Sequence, residues 1–145
     1  MLVIGIDPGA SGGIAILDHH GVTVVKMQAT ETDVRDYLKG ETFAPRFAFI
    51  EFVTPMPKQG LGSTWKFGQH YGFLRGLLIG LQIPFEAVRP QVWQKVLNCR
   101  SGGDKNVTKA AAQQLWPNQK WIHATADAAL IAEYGRRSLH ERGML

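Results

Sequence analysis

Three carboxylates, Asp7, Glu51 and Asp127, stand where an ionised side chain is costly. Asp7 ends the apolar run Leu2 to Ile6, and Glu51 ends the run Phe47-Ala48-Phe49-Ile50. Asp127 is set among Ala124, Ala126, Ala128, Ala129, Leu130 and Ile131. A carboxylate in such surroundings needs a positive partner, and a divalent cation gripped by several oxygens supplies one. Taken alone, Asp7 has a plainer explanation. It could simply cap the turn that follows it. Two further residues could act with the acids. His123 precedes Asp127 by four residues, so a continuous helix points both the same way, whereas a helix capped by Thr125 leaves His123 outside it. Lys105 follows the cap-type residue Asp104 and falls in a first helical turn, where the helix dipole disfavours a cation. A local rule broken in this way often marks function.

The elements that must position these groups follow from patterning. The run Leu2 to Ile6, bounded by the turn residues Pro8, Gly9, Ser11, Gly12 and Gly13, suits a strand buried on both faces. A second strand, Ile14 to Leu17, and a third, Val22 to Met27, are separated only by a turn at His19-His20-Gly21 and form an antiparallel meander. Adjacent His19 and His20 diverge and make a poor metal pair. Thr30 opens a helix that runs to Lys39 and stops at Gly40. Arg46 to Glu51 is a fourth strand. If it lies parallel to the first, Asp7 and Glu51 emerge at the same end of the sheet.

The loop Phe52 to Gly62 carries Lys58 and Gln59 directly after the second acid, where substrate contacts are commonly held. Ser63 is expected to cap a helix over 64–81 whose glycines, Gly68, Gly72, Gly76 and Gly80, form one stripe. Each costs about 1 kcal/mol relative to alanine. Close approach of another backbone would offset that, either the chain's own sheet or a second copy of the helix, which would make a dimer. A last strand, Ile83 to Val88, precedes a short helix over 90–97 with Trp93, Val96 and Leu97 turned inward. A loop, Asn98 to Asp104, leads to a helix from Lys105 to about Trp116, which stops before Pro117.

The 145 residues suffice for a single domain, 1–145, with a real core. Cys99 is the only cysteine, which excludes an internal disulfide and a cysteine-rich zinc site and leaves a structural thiol. No apolar run is long enough to cross a bilayer and no signal peptide precedes the first strand, so a cytoplasmic protein with no membrane partner is expected. From Glu51 onward basic residues outnumber acidic ones two to one, with Arg89, Lys95, Arg100, Lys105 and Lys109 in one stretch and Arg136, Arg137 and Arg142 near the end. That asymmetry suits either a polyanion partner or a merely solvated basic face.

Together, Ile4-Gly5-Ile6-Asp7-Pro8-Gly9, Ile50-Glu51, Asp104-Lys105 and His123 to Ala132 resemble the RuvC-type Holliday junction resolvases of the RNase H-like nuclease superfamily, the phage-type branch above all. The resemblance spans nearly the whole chain. It implies an α/β, RNase H-like fold: a mixed five-stranded sheet, with strands one to three antiparallel and the rest parallel, flanked by helices on both faces. It implies a homodimer that cuts four-way DNA junctions, a crossover junction endodeoxyribonuclease of a bacterial or phage-infected cell. It also implies two Mg2+ ions per active site, with Mn2+ as a substitute. The family's acids match Asp7, Glu51 and Asp127. Its usual fourth acid falls on Ala124 here, and His123 is the nearest replacement. Asp7 would bridge the ions, Glu51 would hold one, and Asp127 with His123 the other. Lys105 matches the family's active-site lysine and would stabilise charge on the phosphate in the transition state. Lys58, Gln59, Arg100, Lys105 and Lys109 are the expected DNA contacts, and the glycine helix is the expected dimer surface. Two other readings fit less of the chain: a branched-DNA-binding module without catalysis, and a fragment of an actin or sugar-kinase type ATPase, whose second phosphate loop is missing.

Overall fold

Residues 1–41 and 43–145 are described by a computed structural model of the chain. The β-branched run at the start forms β1 (Leu2–Asp7) at the centre of a five-stranded sheet ordered β3-β2-β1-β4-β5. β2 (Gly13–Leu17) and β3 (Val22–Lys26) fold back antiparallel as a meander. β4 (Arg46–Glu51) and β5 (Phe85–Val88) continue the sheet in parallel on the other side of β1. The mixed sheet expected from the sequence is the sheet found. β1 and β4 are joined through the meander and α1 (Glu31–Lys39). Thr30 caps α1 by accepting from the Asp33 amide, and Gly40 ends it with a positive φ of 53°.

Strand alternation divides the core in two. Ile4, Ile6, Ile14, Ala48 and Ile50 face Val34 and Leu38 of α1 and Leu74 and Leu78 of α2 (Leu61–Gly80). Val3, Ala15 and Phe49 face the opposite layer. That layer holds α3 (Pro90–Val96), α4 (Lys105–Leu115) and α5 (His123–Glu141). Asp7 is in step with Val3, and Glu51 with Phe49. The strand pattern therefore sends both acids toward the α5 side.

At Gly5 of β1 and Gly13 of β2, α5 lies directly against the backbone of the sheet. A Cβ at Gly5 would collide with the Ala128 carbonyl and the Ala132 amide, and one at Gly13 would collide with the Ala124 carbonyl. The small residues around Asp127 therefore serve backbone-to-backbone contact, and Ala126, Ala128, Ala129 and Ala132 are fully buried in it.

Several local expectations are corrected. α2 begins at Leu61 with Gly60 as N-cap, three residues before the position expected from Ser63, because backbone geometry rather than a side chain caps it. The stripe of Gly68, Gly72, Gly76 and Gly80 does not pack on the chain's own sheet. A Cβ at any of the four would meet nothing within 4 Å, since Leu74 and Leu78 on another face make the contact. In α3, Trp93 is fully buried as expected, but Val96 is 47% exposed: a helix of 7 residues has one narrow inward side. No described helix is long and apolar enough to cross a membrane.

Candidate active site

β1 and β4 run parallel with Ile6 opposite Ile50, so the next residues, Asp7 and Glu51, end neighbouring strands side by side. Strand spacing sets their backbones about 5 Å apart. α5 passes this edge at the contact of Ala124 with Gly13, the residue paired with Asp7, and carries Asp127, whose carboxylate is only 4% exposed. Lys105, the first residue of α4, reaches across from the cap at Asp104 and bonds Asp127 Oδ2. Four of the expected site residues thus converge, contributed by β1, β4, α4 and α5.

Their charges act on one another. Burial, then the Glu51 carboxylate, push the Asp7 carboxyl up to about 8; Lys105 pulls against this and Asp127 adds to it. Burial also raises Glu51, opposed by a hydrogen bond from the Trp93 indole and reinforced by Asp127. Lys105 is raised: burial works against its charge, but the Asp127 bond and the nearby Asp7 and Glu51 outweigh it. The ammonium of Lys105 is the cation that this group of acids now has. Asp127 Oδ1 is buried and has no hydrogen-bond partner among the described residues.

An orphaned carboxylate oxygen beside two acids raised by burial is the donor chemistry of a hard divalent cation. The side-chain arrangement is less complete than the chemistry. Among the described residues no group of three His, Cys, Asp or Glu side chains is placed to hold a metal ion. Lys105 takes one oxygen of Asp127, and Trp93 donates to Glu51 Oε2 at 2.8 Å.

His123 begins α5, so the continuous-helix alternative is the one found. Its Nε2 pairs with Asn106 Oδ1 at 3.2 Å rather than with Asp127. It does line a cleft of about 330 Å3 together with Asp7, Phe67 and Lys105. A larger cleft, about 840 Å3, shares Lys105 with the first and is also lined by Glu51, Asp127, Gln94 and Arg100. Arg100 lines this cleft with Glu51 and Asp127. Lys58 and Gln59 line neither cleft: Lys58 turns the loop with a φ of 68°, and Gln59 Oε1 accepts from the Met56 amide inside the loop itself. Lys109, one turn beyond Lys105, also lines neither. The C-terminal bases are already engaged: Arg136 and Arg137 both pair with buried Glu133, and Arg142 pairs with Glu86.

Residue patterning missed two participants. Trp93 reads as a core residue, and its bond to Glu51 has no local signal. Arg89 lies 5.5 Å above the Phe52 ring and lines a cleft of about 390 Å3 that reaches Glu51 and Phe67. Only its place in the basic stretch hinted at this.

No family model and no curated protein matches the chain. Solved structures do. The RuvC structure from Thermus thermophilus superposes with a TM-score of 0.69 at 19% identity, covering 99% of this chain and 98% of that one. T. thermophilus RuvC in complex with Holliday junction substrate gives 0.68 at 18% identity, again covering 99% and 98%. The chain has the fold of RuvC along essentially its whole length.

Proposed function

We propose that this chain is a structure-selective DNA endonuclease that resolves four-way junctions, with Mg2+ as cofactor and two copies of the chain per functional unit. The observation that carries the reading is the convergence of Asp7, Glu51, Asp127 and Lys105, from four separate elements, on one edge of the sheet. The fold adds support, because a protein that shares it has been captured with a Holliday junction substrate.

Asp7 and Glu51 would hold one cation and Asp7 and Asp127 a second, with His123 joining after leaving Asn106. When bound, the ions supply Lewis acidity at the phosphorus and lower the pKa of the attacking water. The chain's own residues do the rest. Lys105 moves from Asp127 toward the phosphate, so one ammonium neutralises the acids before substrate arrives and the phosphate oxygens afterwards. Arg100 borders the same cleft and holds backbone phosphate. Lys58 and Lys109 are left as more distant phosphate contacts, and Gln59 as a residue that shapes the loop. No side chain attacks phosphorus, so no nucleophilic triad is required.

The dimer reading rests on α2. Its glycine stripe is open, and Leu61, Trp65 and Ile79 on the same helix are 91%, 69% and 67% exposed. A second copy of α2 is a partner that would bury them.

A second reading, junction binding without cleavage, is favoured by the Lys105–Asp127 ion pair and by the incomplete ligand arrangement. One experiment separates the two. Four-way junction, fork, flap and linear duplex are incubated with the chain in Mg2+ or EDTA, and the product ends are mapped. Cleavage of the junction in Mg2+ alone supports the nuclease. A shifted but uncut junction in both buffers supports the binding module.

A further inference from the structure

Trp93 is fully enclosed by the layer that contains Phe49, Val88 and Cys99, and its Nε1–H donates to Glu51 Oε2 at 2.8 Å. An indole N–H can only donate, and a buried one needs an acceptor. The bond therefore does two things at once. It satisfies the indole, and it takes up one acceptor direction of Oε2 and fixes that oxygen against the ring. Among the described residues Oε1 accepts no hydrogen bond, so the two oxygens of Glu51 are inequivalent. Such an arrangement suits one-oxygen ligation and resists chelation by both oxygens. Mg2+ demands near-octahedral geometry with single oxygens, whereas Ca2+ readily takes both oxygens of one carboxylate.

We propose that Trp93 is a positioning residue that holds Glu51 to single-oxygen ligation and so biases the site toward small, hard divalent cations over larger ones. This rests on the metal-dependent reading of the same acids. Partners that orient metal ligands commonly change metal affinity 10- to 100-fold when removed. The bias should therefore be measurable without DNA or turnover.

The test is calorimetric titration of the metal-free full chain with MgCl2 and, separately, CaCl2, for the parent and for Trp93→Phe. The phenyl ring keeps most of the packing and removes the N–H. The expected result is Mg2+ affinity weakened about tenfold in the variant with Ca2+ affinity within twofold of the parent, so that the Mg2+/Ca2+ ratio falls about tenfold. A ratio unchanged within twofold overturns the proposal while leaving the metal reading intact. A parent chain that binds neither ion overturns both.

Should Trp93→Phe fail to fold by circular dichroism, the parent chain still decides the matter. The four tryptophan indoles give four N–H resonances in an 15N-labelled sample. The one that moves on Glu51→Gln is Trp93. Saturating Mg2+ should shift that resonance and leave the indole of Trp121, bonded to the Trp116 carbonyl, in place. A Trp93 resonance indifferent to Mg2+ overturns the proposal.

Discussion

The ammonium of Lys105 rests on Oδ2 of Asp127, while Oδ1 of the same carboxylate is buried without a partner. One half of the pair is fixed in a helix core and the other is a flexible side chain, 55% exposed. Lys105 thus supplies the positive charge beside Asp127 on a side chain free to swing into solvent. Lys105→Ala should lower the stability of the metal-free chain by about 1–3 kcal/mol, the cost of an unpaired buried polar group. Mg2+ should restore more stability to the variant than it adds to the parent, and junction cleavage should fall at least tenfold. Thermal melts with and without Mg2+, and single-turnover cleavage, measure both.

Asp7→Asn should abolish cleavage and keep or tighten junction binding, since it removes negative charge beside the phosphates. Gel shift and cleavage on one junction read the two effects. Cutting near the parental rate would remove Asp7 from the ligand set.

The same residue sets a pH dependence. Its carboxyl is raised from 3.8 to about 8 by burial, then by Glu51. In the unfolded chain it ionises near 4, so the folded state holds the extra proton between pH 4 and about 8. Stability from the neutral form is complete below the unfolded value and is lost as pH rises toward about 8. At about 1.4 kcal/mol per pH unit, the loss reaches the order of several kcal/mol. Melting of the metal-free chain should fall from pH 5 to pH 8, and Asp7→Asn should flatten that slope.

Two glycines should respond in opposite ways. Gly5→Ala drives a methyl into the α5 backbone and should cost at least about 1–3 kcal/mol together with activity. Gly72→Arg meets nothing in its own chain. It should preserve the fold by circular dichroism and halve the sedimenting mass. An unchanged mass, in a parent that sediments as a dimer, would move the interface elsewhere.

Cys99 is 3% exposed, and burial, then the Asp127 charge, push its thiol to about 11. A disulfide reagent at pH 8 should label it only after denaturation.

The sheet and the three acids were legible because each depends on a short local signal. Apolar runs closed by Asp7 and Glu51 mark strand ends, and an aspartate among alanines marks a helix pressed against something flat. Lys105 was legible as a cation in the wrong turn of a helix. Contacts across the chain left no such trace. The Trp93 bond to Glu51 joins residues 42 apart, and nothing near Trp93 distinguishes it from a core tryptophan. The start of α2 was misplaced because Gly60 caps with its backbone alone. Lys58 and Gln59 lay in a loop whose path depends on its own internal bonds. The bases at 136, 137 and 142 counted as free charge until Glu133 and Glu86 were found beside them.

The bare contact between β1 and α5 has a consequence for how this protein tolerates change. At Gly5 and Gly13 no side chain separates sheet from helix, so main-chain thickness sets how far α5, and Asp127 with it, stands from the sheet. Substitutions on the far side of the sheet, under α1 and α2, can loosen the molecule without altering that spacing. Loss of stability on that far side and accuracy of the acid cluster can therefore drift apart, whereas a change at Gly5 moves both.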